Sequence, residues 1–222
     1  MTISRPDTAD SAVAPLTPVT GPTSSDRRAL CLSGAILACV PGAARSRPGT
    51  EPTPSQMEGP YYPVEPIPVR SRLRELDGRR AQGTGLLLSG QVWSEGRPVP
   101  DARVEIWQCD ARGIYRHPAQ RGEPDPGFAG YGAQVTDAEG RWAFDTLMPV
   151  PYEGRPPHIH LRVKRAGRMV LTSQLYLEGR TEESGFLRRV PGLQGPRERL
   201  TLRPDAGGPG REPSATFDIV LG

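Results

Sequence analysis

The sequence predicts an all-β protein built as a single β-sandwich, and three observations carry that expectation. Glycine and proline stand at 26 residues each in a chain of 222, a supply of turn-formers that suits short strands joined by loops. Apolar residues alternate with a period of two in runs that recur from Gly83 to the C-terminus. Turns rich in Gly, Pro and Asp separate those runs at short intervals, as in antiparallel sandwiches.

The first run, TGLLLSGQVW (84–93), is followed by a Glu-Gly turn. DARVEIWQCD (101–110) sets Val104, Ile106 and Gln108 against Glu105 and Trp107. GAQVTDAEGRWAFDTL (132–147) reads as strand, AEGR turn and strand. HIHLRVK (158–164) alternates strictly, and RMVLTSQLYL (168–177) and ATFDIVL (215–221) complete the set. The one helical expectation is a turn or two near Glu182 to Arg189. Two longer irregular stretches, 116–132 and 148–157, lie between strands, and long loops on a rigid sandwich are where function is commonly placed.

Residues 51–222 make up the expected domain, and 1–50 an N-terminal extension. Residues 1–26 are rich in Thr, Ser, Pro and Ala without apolar periodicity, which predicts disorder. Arg27 and Arg28 then precede an apolar run, Ala29 to Val40, and the small residues Gly42, Ala43 and Ala44. That is the anatomy of an export signal of the twin-arginine type, which would deliver a folded protein to the periplasm. Without it, the expectation is a cytoplasmic protein. The run is too short to span a membrane, which takes about 20 residues. Cys109 is the one cysteine of the domain, so no disulfide framework is expected within it. The net charge is +3 and the basic residues, nearly all arginine, are interleaved with Asp and Glu. That pattern argues against a nucleic-acid face, which needs a clustered basic patch.

Two of the three histidines sit in RPPHIH (155–160). On a strand, residues i and i+2 project to the same side, so His158 and His160 can bind one ion while Ile159 points away. A bare H-x-H is more often a pair of surface histidines. Pro156 and Pro157 stiffen the approach, however, and Tyr115 and Tyr152 flank the two long loops. No carboxylate stands at i+2 from His158 to complete a two-histidine, one-carboxylate iron(II) site. A trivalent hard ion would instead accept phenolate oxygen, lowering the tyrosine pKa far below 10.

The segments EIWQCDARGIYRH, DPGFAGYGAQVTDAEGRWAFDTLMPVPY and RPPHIH together resemble the intradiol ring-cleavage dioxygenases, in particular the iron-bearing subunit of protocatechuate 3,4-dioxygenases. The resemblance runs from Glu58, in EGPYYP, to the C-terminal ATFDIVL. It implies a prealbumin-like sandwich that holds non-haem iron(III) through Tyr115, Tyr152, His158 and His160. It further implies that Arg155 faces the ring carbons of bound substrate and that Gln174 supplies a supporting hydrogen bond. The implied substrates are a small aromatic diol of the catechol type and dioxygen, and the implied product is a cis,cis-muconate. Tyr152 would leave the metal when a catechol binds and accept one of its protons. A homo-oligomer or a partner subunit is left open.

Tyr61 and Tyr62 are expected to line the substrate entrance or to pack, and His117 to be solvated or to support a ligand. Three departures bear on substrate rather than on iron. The Tyr152–Arg155 loop is much shorter than in relatives, Ala133 and Asp145 stand where arginine is common, and Arg72 where an acidic residue or Asn is common. The competing expectation is a non-catalytic binding module. SGQVWSEGRPVPDARVEIW and TDAEGRWAFDTL also resemble transthyretin-like and carboxypeptidase-regulatory-like domains, which need no metal.

Overall fold

The structure is a computed structural model that describes residues 49, 51–180 and 196–222. The export-signal segment and the helical turn expected at 182–189 lie outside the described residues. The described strands are β1 (Glu75–Leu76), β2 (Arg79–Arg80), β3 (Gly85–Ser94), β4 (Arg97–Pro98), β5 (Arg103–Trp107) and β6 (Tyr131–Val135). They continue as β7 (Arg141–Leu147), β8 (His158–Arg165), β9 (Arg168–Leu177), β10 (Thr201–Leu202), β11 (Ser214–Thr216) and β12 (Ile219–Leu221). The one described helical element is a 3-10 turn, Arg197–Leu200.

One sheet runs in the order β10-β9-β8-β5-β6. The other is built on β3, which pairs antiparallel with β7 and β4 and parallel with β11 and β12. The period-two alternation decides what lies between them. Leu86, Leu88 and Val92 of β3 and Trp142 and Phe144 of β7 share one buried cluster with Val104 and Ile106 of β5, Ile159, Leu161 and Val163 of β8, and Leu171 and Leu175 of β9. Fully burying each such side chain contributes about 1.5–3 kcal/mol.

The sequence places six strands well and marks the Glu95-Gly96 turn; the structure adds a break in the last run and the short strands β1, β2 and β4. ATFDIVL divides into β11 and β12, because the Asp218 carboxylate takes the Gln91 N–H (2.9 Å) where a continuous ladder would use a backbone carbonyl. The short β1–β2 and β3–β4 hairpins turn through Asp77-Gly78 (φ 51° and 72°) and Glu95-Gly96 (φ 49° and 69°). Both central residues are left-handed in each, which matches the right-handed twist of the flanking strands.

The other face of the β8 sheet is covered around His158 and His160, while Arg103, Lys164 and Val135 farther along it stay partly exposed. Residues 53–73 run across it and fasten to it through their backbone. Gln56 N–H donates to Thr172 O (2.9 Å), Ser173 Oγ donates to Pro54 O (2.7 Å), and Gln174 Nε2 donates to Met57 O (2.7 Å). Farther along, Arg70 N–H and Ala133 O pair at 2.9 Å and Leu73 N–H and Asp145 O at 2.8 Å. Ala133 and Asp145, two of the departures, are thus occupied in anchoring this segment; the Asp145 carboxylate also receives Arg74 Nε. Tyr62 Oη reaches Glu105 (2.9 Å), a carboxylate 1 % exposed that also holds Arg103 (2.7 Å) and Lys164 (3.0 Å).

Gly90 sits where β3 meets the β11–β12 connection, and a Cβ there would fall 1.8 Å from Phe217 O. Gly90→Ala is expected to lower stability by about 1–3 kcal/mol, the usual cost of forcing extra volume into a packed site, as read from the denaturant midpoint.

Candidate metal centre

Strand β8 carries the core on one face and the candidate ligands on the other. Ile159 is fully buried in the sandwich, while His158 and His160 point to the opposite face, each 1 % exposed beneath the covering segment. Neither histidine is a surface residue. Register supplies their neighbours: His160 lies opposite Trp107 of β5 and Gln174 of β9, and His158 opposite Tyr176. Directly opposed side chains on one sheet face are in contact distance, and Trp107 stacks on His160 with centroids 4.7 Å apart and planes 8° from parallel. Gly59 closes the far end of that ring; a Cβ there would sit 3.2 Å from His160 Cε1.

Tyr115 is brought in by the loop after β5. Asp110 organises this loop, its carboxylate accepting the N–H groups of Arg112 (2.8 Å), Ile114 (3.0 Å) and Asp125 (2.8 Å). Tyr152 and Arg155 face each other across Glu153-Gly154 (φ 43° and 79°), with Arg155 N–H donating to Tyr152 O at 2.7 Å. The loop that the sequence marks as short is thus a two-residue turn of type I′.

The four rings converge. Centroids lie 5.0 Å apart for Tyr115 and Tyr152, 5.5 Å for Tyr152 and His158, 4.7 Å for the two histidines and 6.0 Å for Tyr115 and His160. His158 Nδ1 is 2.7 Å from Pro156 O, so it carries the proton and leaves Nε2 as a lone pair. That Nε2 faces His160 Nε2 at 3.2 Å, close to the separation of about 3 Å for two imidazoles bound to one first-row ion at about 2.1 Å and a right angle.

Burial, followed by the nearby Arg155 charge, pushes His158 down to about 3. Burial and His158 hold His160 well below the ordinary imidazole range. Both are neutral at pH 7, the form that binds metal. Burial raises Tyr152 to about 12 and, with Tyr152 beside it, pushes Tyr115 well above 10. Two neutral phenols in this site gain little from ionising unless a cation is present. Tyr115 Oη and His160 Nδ1 are also buried without a hydrogen-bond partner of good geometry, and a buried polar atom left so asks for an explanation. Among the described residues no three His, Cys, Asp or Glu side chains converge, so a metal here would draw on phenolate oxygen. The donor set fits a hard trivalent ion.

Arg155, 6 % exposed, donates from Nη2 to Gln174 Oε1 at 2.6 Å, and Gln174 is fully buried. All six residues singled out from the sequence are therefore brought together. Behind them stand residues that the sequence did not single out. Tyr176 Oη is 2.9 Å from Gln174 Oε1 and 2.6 Å from Gln56 Oε1. One hydroxyl proton cannot serve two carbonyl oxygens, so the Gln56 amide is rotated to donate from Nε2 to Tyr176 Oη, which in turn donates to Gln174 Oε1. Arg197 lies over the Tyr176 ring at 4.7 Å. Trp107 and Tyr176 read as strand residues, and only register reveals what they touch. Tyr61 stacks on Tyr115 at 4.8 Å, whereas Tyr62 packs edge-on against Trp107. His117 takes no part among the four rings; its Nδ1 accepts Ala119 N–H at 3.1 Å.

A family model described as "Dioxygenase" matches residues 57–222. The chain is 32 % identical over 146 residues to a catechol 1,2-dioxygenase of Acinetobacter baylyi, covering 57 % of this chain and 47 % of that one. It is 35 % identical over 157 residues to a protocatechuate 3,4-dioxygenase beta chain of Burkholderia cepacia, covering 63 % of this chain and 65 % of that one. It thus spans about half the length of the catechol dioxygenases that it matches. Among solved structures it resembles the dioxygenase domain of a dioxygenase–carbohydrate-binding fusion from Streptomyces sp. SirexAA-E, with 34 % identity, a TM-score of 0.60, and coverage of 77 % of this chain and 98 % of that one. With the sandwich, the buried rings and these matches, the chain belongs to the intradiol ring-cleavage dioxygenase family.

Proposed function

We propose that this protein is an iron(III)-dependent intradiol dioxygenase that opens a catechol ring between its two hydroxyl carbons, placing both atoms of dioxygen in a cis,cis-muconate. The observation that carries this reading is the convergence of Tyr115, Tyr152, His158 and His160 on one buried point. The relatives bear names of catechol, protocatechuate and hydroxyquinol dioxygenases. A metal-free binding module has no use for two lone pairs and two phenols buried together.

The four side chains would hold iron(III), which supplies Lewis acidity and positive charge to a bound catechol. His158 and His160 enter as neutral donors, so no proton need leave either ring. Tyr152 occupies the end of a tight turn and is the more exposed phenol, 8 % against 2 % for Tyr115. Tyr152 would be the residue to yield to the substrate, and its oxygen would take up one catechol proton. Tyr115, enclosed by Tyr61 and Tyr152, would keep its place. Arg155 is aimed by Gln174 and places a fixed positive charge beside the ring, where negative charge develops as the substrate is activated. Gln174 is itself oriented by Tyr176 and Met57 O, so the guanidinium needs no reorganisation during reaction.

Protein loaded with iron under air is expected to be red-brown from tyrosinate charge transfer and to bleach with dithionite. His160→Ala should lose iron by elemental analysis, and Tyr152→Phe should keep iron while shifting the visible band. A colourless, iron-free wild-type protein after loading would defeat the reading. In an oxygen electrode, catechol should consume one equivalent of dioxygen with the ultraviolet spectrum of a muconate; an extradiol product spectrum would contradict it. Gln174→Leu removes the Gln174 Oε1 acceptor that aims Arg155 and should lower kcat by about tenfold to a hundredfold with a smaller change in KM. An equal change in both would mark Gln174 as a general packing residue.

A further inference from the structure

We propose that Glu153 selects substrates by charge, disfavouring catechols whose ring carries a carboxylate and favouring those with a neutral or cationic substituent. The proposal rests on the catechol-cleaving reading above and adds the class of ring substituent.

Glu153 is the first central residue of the turn that joins Tyr152 to Arg155. The residue expected to yield to the substrate and the residue expected to face its ring are its two near neighbours. A longer connection would let such a side chain swing away. Here the backbone pair between Tyr152 and Arg155 closes the turn, and Glu153 holds a left-handed φ of 43°, which a non-glycine residue adopts only where the turn demands it. The carboxylate is aimed as well as placed. Oε2 accepts from Tyr61 Oη at 3.4 Å and Oε1 from Gln120 Nε2 at 3.3 Å. Both donors are neutral, so they direct the charge without cancelling it. Tyr61 in turn stacks on Tyr115 and lies 6.1 Å from Tyr152. Glu153 therefore stands at the rim of the ring cluster, on the side covered by Tyr61.

The cations around the centre are held by other groups, Arg155 and Arg116 by neutral acceptors that leave their charge in place as a background unchanged by substitution of Glu153. Arg155 is bonded to Gln174, and Arg116 to the carbonyls of Asp125 and Phe128. Arg162 pairs with Glu58, and Lys164 with Glu105. A ring substituent directed toward the turn meets a carboxylate. A second carboxylate there adds like-charge repulsion, whereas a methyl group is indifferent and an ammonium is attracted. Glu153 is exposed, which sets the size of the effect at that of a solvated charge pair, about fivefold.

The test compares iron-loaded wild type with Glu153→Gln, which keeps an acceptor for Tyr61 and removes the charge. Two readouts are taken at low ionic strength. One is kcat/KM for 4-methylcatechol, 3,4-dihydroxybenzoate and 4-(2-aminoethyl)catechol. The other is calorimetric binding of 4-methylphenol and 4-hydroxybenzoate, which carry the same substituents and lack the second hydroxyl. The expected result is that Glu153→Gln improves the carboxylated ligand relative to the methylated one by about fivefold in both readouts, with the gain shrinking in high salt. An unchanged ratio, or a wild-type preference for the carboxylated ligand in both readouts, overturns the proposal. If no catechol is consumed, the proposed function fails, while the binding ratio still decides whether Glu153 discriminates by charge.

Discussion

The candidate centre depends on the register of β8 between β5 and β9. A strand turns alternate side chains to opposite faces, so one short run, HIHLRV, serves two purposes. Ile159, Leu161 and Val163 close the sandwich, and His158 and His160 face away from it. The pairing then chooses what meets the histidines: Trp107 and Gln174 on either side of His160, and Tyr176 beside His158. A slip of one residue would reverse every side chain, burying imidazoles in the apolar core and turning isoleucine toward Tyr115 and Tyr152. The hydrophobic demand of the core thus fixes the geometry of the polar face.

Around the two histidines that polar face is dry. The segment 53–73 covers it and is held by backbone hydrogen bonds to β9, β6 and β7. Burial has two electrostatic effects. It keeps both imidazoles neutral and both phenols protonated, and it leaves a site in which a cation would be strongly felt. Metal affinity and phenol acidity are therefore coupled: a trivalent ion supplies the charge that low polarity otherwise denies to the tyrosines. The surrounding network of Gln174, Tyr176 and Gln56 contains few spare polar atoms, so it can hold Arg155 rigidly.

The two long loops contribute by different means. Between β5 and β6, a single buried carboxylate, Asp110, gathers three N–H groups and gives Tyr115 a fixed base. Between β7 and β8, a two-residue turn keeps Tyr152 and Arg155 opposed. The first loop could vary widely in its outer part without moving its tyrosine. The second has no slack, and each of its two central residues is confined to the left-handed region.

Much of this was legible in the sequence. Alternation alone places the six main strands, because period two directly reflects which face is buried. The motif resemblance names all six candidate residues, and they do converge. The Glu95-Gly96 turn was legible, whereas the break in ATFDIVL and the Asp77-Gly78 hairpin were less visible, since they depend on a side chain replacing a ladder carbonyl and on backbone twist. The stacking of Trp107 on His160, the links from Gln174 to Arg155 and Tyr176, and the aim of Glu153 toward Tyr61 were not legible at all. The sequence by itself determined the fold class and the chemistry of the donors, because residue type and periodicity are local properties. Only the tertiary structure decided which side chains touch and which are dry, because register between distant strands and the path of the covering segment are set by the closing of the whole core.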